Sequence, residues 1–372
     1  MKGVLNKVNP IDNALSIIMQ DHNRICEAIR RQLAVWNGDT SAPLPLLMNA
    51  NPPDANIKGL NGYDMKAIHN DSEKMFESEL IGALSAVSGG ADAVPSLRAN
   101  MGCSVYPSLL GVLPILFEDK MPWVKEHLTK AQLSRLTPED IVITEEFASG
   151  LNHMAYMKKR LADSPARLYP LDLQGPFDTA HIVYGDEIFY DMFDDPSFVH
   201  HLLDLSCHAI ILGMEKVLEY IPESEYLIAH YNGLVMPRTL GGLKISEDTS
   251  TLLSPDAIDN FVVPYTNRIL EHFGGGYIHY CGKNDYLLEA MLQLDKAHCI
   301  NFGNPEKHNM DETLAQIVRA GKLYYGVVNQ KPGETDKAYF TRVREASQDK
   351  LLLMYSASDR DTSQILHDWE DI

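Results

Sequence analysis

Residues 274–282 read GGGYIHYCG, and this stretch says most about the fold. The run over 277–281 is typical of a short strand. A strand alternates its side chains between two faces, so His279 and Cys281 are expected on one face at the carboxyl end of the strand. This strand and the segments on either side of it predict both the architecture and the site.

Strand-like runs and helical segments alternate along the chain on either side of this strand. Eight strands with intervening helices predict an α/β fold of the (β/α)8 TIM-barrel type, and a doubly wound parallel sheet is the alternative. The alternation alone does not separate the two. The predicted strands are 93–97, 113–117, 168–173, 226–230, 277–281, 299–302, 323–328 and 351–355. The predicted helices are 12–36, 71–88, 144–161, 196–220, 255–273, 284–293, 311–320, 336–347 and 361–369.

The charge balance excludes several classes of partner. The chain has 372 residues with 32 Lys+Arg against 51 Asp+Glu, a formal net charge of −19. No run of four basic residues occurs, although phosphate backbones and anionic lipids need clustered Lys or Arg. We therefore expect no nucleic-acid partner and no membrane-surface role, and a strongly anionic ligand would need a local positive pocket.

Cysteine usage and apolar runs predict the compartment. No segment reaches the roughly 20 apolar residues of a membrane span, and the N-terminus lacks an apolar signal core. The five cysteines are odd in number and widely spread. This usage predicts free thiols in a reducing cytoplasm rather than a disulfide framework.

Polar residues follow most of the predicted strands, and in both candidate folds the active site lies at the carboxyl ends of the strands. For any single Asn or Asp, turn formation is the alternative explanation. The polar residues at these ends are Arg98, Asn100, Gln174, Asp178, His230, Asn232, His279, Cys281, Asn301, Asn304, Asn329, Ser356, Ser358 and Asp359.

The His279–Cys281 pair offers an imidazole and a thiolate, which suit Zn²⁺. A catalytic zinc takes three protein ligands and keeps one open position, so two residues do not complete a site. Cys103, His230 and Asp248 are candidates for the third ligand. The alternative is a buried cysteine beside a hydrogen-bonded histidine, since free Cys is among the most buried residue types.

Several short stretches together resemble the uroporphyrinogen decarboxylase superfamily, and they lie closer to its zinc- and corrinoid-dependent methyltransferase branch than to true decarboxylases. They are 95–102 (PSLRANMG), 121–124 (MPWV), 174–177 (QGPF), 253–255 (LSP) and 279–282 (HYCG), with 285–288 (DYLL) behind the last. The resemblance implies a single (β/α)8 barrel over 71–372, preceded by a helical extension and loop over 1–70.

The chain departs from the family pattern in two places. True decarboxylases carry an Arg-rich N-terminal segment that binds the substrate's carboxylates, and no such segment is present here. In the methyltransferase branch a Cys after the last strand is the third zinc ligand, but residues 351–359 read LLLMYSASD. Either Asp359, Asp248, His230 or Cys103 then completes the site, or metal binding is weakened, or the chemistry differs. The corrinoid-binding motif is also missing, so a corrinoid would arrive on a separate partner protein.

The resemblance implies a methyltransferase that moves a methyl group between a small substrate and a thiol or a corrinoid protein, with Zn²⁺ on His279 and Cys281. Its partners would be a small methyl donor or acceptor and a corrinoid protein, and the chain would be a monomer or homodimer. The catalytic candidates are His279, Cys281, His230 and Asp248, and the substrate-binding candidates are Arg98, Asn100, Gln174, Asn301 and Asn329.

Two other functions stay open at this point. The first is a metal-independent porphyrinogen decarboxylase, with a carboxylate or Arg98 stabilising the protonated pyrrole. The second is a non-catalytic binding barrel that lost the ligand set. The charge of −19 and the missing Arg segment favour a small, weakly charged substrate over a porphyrinogen.

Overall fold

The computed structural model describes residues 9–223, 225–230 and 233–372. The predicted site residue Asn232 lies outside the described residues. Strands and helices alternate over most of the rest. The strands are β1 Leu46–Ala50, β2 Ser96–Leu97, β3 Pro114–Ile115, β4 Trp123–Val124, β5 Arg167–Leu168, β6 Tyr226–His230, β7 Leu234–Pro237, β8 Leu243–Ser246, β9 Gly276–Tyr280, β10 Ala297–Phe302, β11 Leu323–Gly326 and β12 Leu351–Ser358.

Helices lie between most of these strands, and their ends follow local capping chemistry. In α5, the Asp71 carboxylate accepts hydrogen bonds from the first-turn N–H groups of Glu73 and Lys74, and Gly90 ends the helix at φ +66°. The helices are α1 Pro10–Gln20, α2 His22–Trp36, α3 Asp54–Ile57, α4 Met65–His69, α5 Ser72–Gly89, α6 Lys130–Leu133, α7 Glu145–Arg160, α8 Pro176–Tyr184, α9 Glu187–Asp194, α10 Pro196–Leu218, α11 Pro255–Phe261, α12 Val263–Phe273, α13 Asp285–Leu292, α14 Met310–Arg319, α15 Asp336–Ser347 and α16 Thr362–Glu370.

The main sheet has six parallel strands in the order β1-β12-β11-β10-β9-β8, with helices packed against it. β2 and β5 form a separate parallel pair. A parallel bridge joins Gln174 to Ser246, and the N–H of Asp92 donates to the carbonyl of Leu46 (2.9 Å). These links place the β2–β5 pair beside both edges of the sheet. The fold is therefore mixed α/β and consistent with a TIM-like arrangement.

Several predicted elements need correction. The run 113–117 is not a sheet strand, because β3 pairs only with β4, antiparallel, and Leu113 and Ile115 are exposed. β6 forms an antiparallel hairpin with β7, since a second apolar run follows it closely. The predicted helices 12–36 and 255–273 are each broken in two, at Asp21 and Val262.

Two strands of the sheet were missing from the sequence prediction. β8 is only four residues long and follows Gly241 and Gly242, which resemble a loop. A Cβ on Gly241 would overlap the backbone of Gly275, so this glycine lets the entries of β8 and β9 approach closely. β1 lies within the predicted extension 1–70 and pairs with β12. The domain boundary at residue 70 stays a prediction.

Strand alternation separates two apolar cores. On β12, Leu351, Leu353 and Tyr355 face the helices, whereas Leu352 and Met354 face the concave side of the sheet. The β6–β7 hairpin fills that concave side with apolar side chains at the level of the strand beginnings. Polar residues follow toward the carboxyl ends. The inner cluster is Leu47, Ala229, Leu234, Met236, Tyr277, Cys299, Tyr325, Leu352 and Met354.

Helix α10 is long and apolar enough to span a membrane by length and composition alone, with a mean hydropathy of 1.2 in its best window. In that window 61% of the residues are buried within the fold. The helix packs against α8, α9 and α12. These contacts are those of a core helix.

Gln32 links α2 to the β6–β7 hairpin through buried hydrogen bonds, and a substitution of Gln32 tests their contribution to stability. Its amide donates to the carbonyls of Asp92 (2.9 Å) and Gly233 (3.0 Å) and accepts from the N–H of Val235 (2.8 Å). We expect Gln32→Ala to lower the free energy of unfolding by about 3 kcal/mol, because three buried partners lose their hydrogen bonds. Chemical denaturation measures this, and the exposed Gln20→Ala is the control. A change below about 0.5 kcal/mol would contradict the assignment.

Candidate metal centre

Strand register sets three side chains in a row at the carboxyl end of the sheet. Ser246 on β8 and Asn301 on β10 are both register partners of His279 on β9. Neighbouring strands lie about 4.8 Å apart, and in-register residues share a face. The row therefore places His279 between two polar neighbours, above the inner apolar cluster.

Hydrogen bonds fix which nitrogen of His279 is free. The amide nitrogen of Asn301 donates to the carbonyl of Tyr325 (2.6 Å), which turns the amide oxygen toward His279. That oxygen lies 2.5 Å from Nδ1, and as an acceptor it requires Nδ1 to carry the proton. Nε2 then presents its lone pair. This is the arrangement in which histidine binds metals.

Cys281 and Asp248 face this lone pair. The Cys281 Sγ and the Asp248 Oδ1 each lie 3.7 Å from His279 Nε2. One ligand atom of each of the three residues falls within 4.8 Å of the others. Asp248 is further held by accepting from the N–H of Cys281 (2.6 Å). A Cβ on Gly303 would overlap Sγ, so this glycine leaves room for the thiol.

A buried carboxyl on α8 supports the Asp248 loop. Asp178 accepts from the N–H groups of Asp248 (2.7 Å) and Thr249 (2.8 Å). Glu247 is fully buried and accepts from the hydroxyls of Ser250 (2.9 Å) and Thr266 (2.5 Å). Burial, and then the nearby negative charges, raise the pKa of Asp178 and Glu247. Asp178 and Glu247 thus hold the Asp248 loop in place through these hydrogen bonds.

An ion cluster lies on the same concave face. Asp172 accepts from Lys244 (2.7 Å) and pairs with Arg98 (3.2 Å), whose guanidinium also donates to Asn100 (3.4 Å). Burial alone would raise the pKa of Asp172, but the two cations outweigh it and hold that pKa well below its usual range. The Asp172 carboxylate therefore stays ionised between the two cations.

His230 lies beside the metal candidates rather than among them. Its Nδ1 is 3.1 Å from the Tyr325 hydroxyl, and its ring stacks near that of His279 with 6.5 Å between centroids. Burial, reinforced by the charges of Lys244 and Arg98, lowers the pKa of His230 well below its ordinary value. The imidazole is therefore neutral at physiological pH.

The structure brings most of the predicted residues to one place. His279, Cys281 and Asp248 form the cluster, and Asn301 contacts it directly. Among the candidate third ligands, Asp359 instead pairs with Asn51 (2.8 Å). Cys103 and His230 are also outside the group of possible ligands found in the described residues.

The predicted substrate-binding residues are more dispersed. Arg98 and Asn100 belong to the ion cluster, and Gln174 is buried beside β8 through its bridge to Ser246. Asn329 is exposed, and its backbone carbonyl accepts from Arg342 (3.1 Å).

Lys244 and Asp172 are site residues that sequence reasoning missed. Lys244 precedes the inward Ser246 by two residues, but β8 was not recognised as a strand. Asp172 precedes Gln174 by two residues in a run that was predicted as a strand. Alternation along both segments would have placed these two side chains at the site.

Comparisons with known proteins identify a similar fold. A solved structure described as a methyltransferase from Methanosarcina mazei superposes with a TM-score of 0.63 at 14% sequence identity. The match covers 92% of this chain and 98% of that chain. No family model and no curated protein matches the sequence. At this identity the likeness establishes the fold.

The environment of Cys281 predicts a poorly reactive thiol in metal-free protein. Partial burial, and then the negative charge of Asp248, raise the pKa of Cys281 to about 11. At pH 8 we expect alkylation at least about tenfold slower than for an ordinary thiol of pKa about 8.5. Asp248→Asn should speed the reaction by removing the charge. Mass spectrometry of iodoacetamide-treated, chelator-washed protein measures the rates.

The Cys281→Ser variant is the control for this experiment, because any alkylation that it still shows must occur at the other cysteines. A pH–rate profile for Cys281 with its inflection at or below about 8.5 would contradict the assigned environment.

Proposed function

We propose that the chain is a metal-dependent methyltransferase of the uroporphyrinogen decarboxylase superfamily, with Zn²⁺ held by Asp248, His279 and Cys281. The observation that carries the proposal is the cluster of three ligand atoms at the carboxyl ends of β8 and β9. The likeness of the fold to a methyltransferase supports it. We also propose that the β2–β5 pair closes the sheet into the eight-stranded barrel.

The donor set fits a catalytic zinc site. Bond lengths of about 2.0–2.3 Å in a tetrahedron separate ligand atoms by roughly 3.5 Å. The two 3.7 Å distances to His279 Nε2 are close to that separation. One imidazole, one thiolate and one carboxylate leave a fourth position for substrate. Cys281 is exposed, so that position is accessible from the mouth of the sheet.

The protein's own residues prepare this site. Asn301 holds the proton of His279 on Nδ1 and keeps Nε2 available. The N–H of Cys281 and the two N–H groups bound by Asp178 fix the position of Asp248. When bound, the zinc ion would act as a Lewis acid that favours the thiolate form of a substrate thiol at neutral pH.

The surrounding residues orient the methyl donor or acceptor. The inner apolar cluster fills the concave side below His279, so a substrate stays near the carboxyl ends of the strands. We infer that the methyl group passes between a small substrate and a thiol or a corrinoid carried by a separate protein. Five free cysteines fit the cytoplasmic location expected from the sequence.

Metal content is the first test of this proposal. Protein purified without added metal should contain about one equivalent of zinc, because three protein ligands suffice to retain it. We expect His279→Ala to abolish binding, and Asn301→Ala to weaken zinc affinity by about 10- to 100-fold through loss of the orienting hydrogen bond. Elemental analysis and chelator competition measure these changes.

Matched variants separate a local effect from general damage. The exposed His272→Ala, Cys26→Ser and Asn260→Ala should all retain the metal of the wild-type chain. A zinc content below about a tenth of an equivalent in the wild-type protein would contradict the proposed site. An unchanged zinc content in His279→Ala would contradict it as well.

Methyl transfer is the second test. With methylcobalamin and 2-mercaptoethanol as probes, we expect demethylation of the corrinoid. The change in the visible absorbance of the corrinoid measures the rate. His279→Ala and Asp248→Asn should slow the reaction at least about 100-fold, because each removes a metal ligand. His272→Ala is the control. Equal rates in wild type and both ligand variants would rule out transfer at this cluster.

A further inference from the structure

The β3–β4 hairpin lies outside the main sheet and presents an apolar face to solvent. Its side chains alternate between two faces, since the strands pair antiparallel with Ile115 opposite Trp123. One face packs against the body of the protein, where Val112 and Val124 are buried. The other face consists of large apolar side chains that are all exposed: Leu113, Ile115, Met121 and Trp123.

Helix α9 presents a second exposed apolar face. Tyr190 and Phe193 are three residues apart, so they lie on the same side of the helix. Ile188 and Met192 are buried on the opposite side. The outer side of α9 therefore carries two aromatic rings that no part of the described chain covers.

A cavity of about 620 Å³ lies between the hairpin and the start of α9. Trp123 lines it from the hairpin, and Asp186 and Glu187 line it from the α9 end. Glu187 precedes Tyr190 by three residues, so the exposed side of α9 begins at the rim of this cavity. The two apolar faces are therefore neighbours on one surface, with a recess between them.

The exposed apolar area is large for a monomer. Trp123, Tyr190 and Phe193 keep 45%, 66% and 79% of their surface exposed. Since an aromatic side chain has roughly 150–250 Å² to bury, these three leave about 400 Å² open. The aliphatic side chains of the hairpin raise the total to roughly 650 Å², slightly above the largest apolar patch of most monomers.

This area matches what a stable dimer needs. A standard interface takes roughly 800 Å² from each partner, of which a little over half is apolar. The two apolar faces, together with the charged residues at their edges, supply a surface of that size.

Charged residues of opposite sign lie on the two faces. Lys125 follows Trp123 at a spacing of two, and its N–H still pairs with the carbonyl of Leu113, so it belongs to the exposed side of the hairpin. Glu187 and Asp194 flank the aromatic rings of α9. No ion pair among the described residues involves any of these three exposed side chains. The acids of the hairpin lie at its turn or alternate to the other side: Glu118, Asp119 and Glu126.

We propose that these faces form the interface of a homodimer with twofold symmetry, in which the hairpin face of each copy packs against the α9 face of the other. A twofold interface must be complementary to itself. Neighbouring apolar faces with Lys125 on one and two carboxylates on the other meet that condition. The recess between them would receive an apolar side chain of the second copy. Salt at about 0.15 M screens the repulsion between two chains of net charge −19 beyond roughly 8 Å.

The mass in solution is the first test of the dimer. By sedimentation velocity or light scattering, we expect a species of twice the 41.7 kDa of the chain at concentrations of about 1–50 µM. The mass of a single chain across this range would overturn the proposal. A mass that keeps rising with concentration would also overturn it, because a twofold interface closes after two copies.

Substitutions within the two faces locate the interface. Trp123→Asp and Phe193→Asp each bring a charge among apolar side chains, so we expect either to weaken dimerisation at least about 100-fold. Both positions are exposed in the single chain, so circular dichroism should stay that of the wild type. Met19→Asp, the same kind of change on the exposed side of α1, should leave the dimer intact. A dimer that survives both face variants would contradict this location.

An exchange of charges tests which face meets which. Lys125→Glu should weaken the dimer at least about threefold, because the contact occurs twice in a symmetric dimer. Adding Glu187→Lys should recover most of that loss, whereas adding the exposed Glu370→Lys should not. Equal recovery by both additions, or no recovery by either, would refute the pairing of the hairpin with α9.

The dimer is independent of the proposed function, because neither face contains a candidate metal ligand. Chelator-washed protein should therefore keep the mass of the dimer, and dissociation on removal of metal would contradict the assignment. The face variants should in turn keep the zinc content of the wild type.

Discussion

The register of β8, β9 and β10 is the constraint on which the candidate site depends. It sets Ser246, His279 and Asn301 side by side, so that the Asn301 amide can hold the proton of His279 on Nδ1. A one-residue shift of any one of these strands would turn its side chain in this row toward the helices. The same register carries Asp248 and Cys281 just past the strand ends, where their ligand atoms meet the free Nε2.

The concave side divides into an apolar base and a polar mouth. The β6–β7 hairpin packs against Tyr277, Tyr325 and Leu352, and the Tyr325 hydroxyl lies 3.1 Å from Nδ1 of His230. Above it lie the candidate metal ligands and the Arg98–Asp172–Lys244 ions. Charges of both signs thus lie inside a chain of net charge −19, and Asp172 pairs with both Arg98 and Lys244.

The sequence predicted the α/β alternation, most helix positions and the His279–Cys281 pair, because capping residues and period-two spacing are local signals. It left β8 and β1 unrecognised, since β8 is short and follows two glycines, and β1 is a short run between proline-containing segments. Asp248 was one of four candidates for the third ligand, and only the fold brings it to Cys281. Lys244 and Asp172 were missed, because their place beside the candidate site follows from strand alternation in segments whose pairing only the fold shows.

X-ray absorption at the zinc edge identifies the atoms bound to the metal. We expect a single sulfur ligand, from Cys281, with nitrogen and oxygen ligands from His279, Asp248 and solvent or substrate. A shell with two or more sulfurs would mean that another cysteine binds the metal. A shell with no sulfur would exclude Cys281. Either result would contradict the proposed centre.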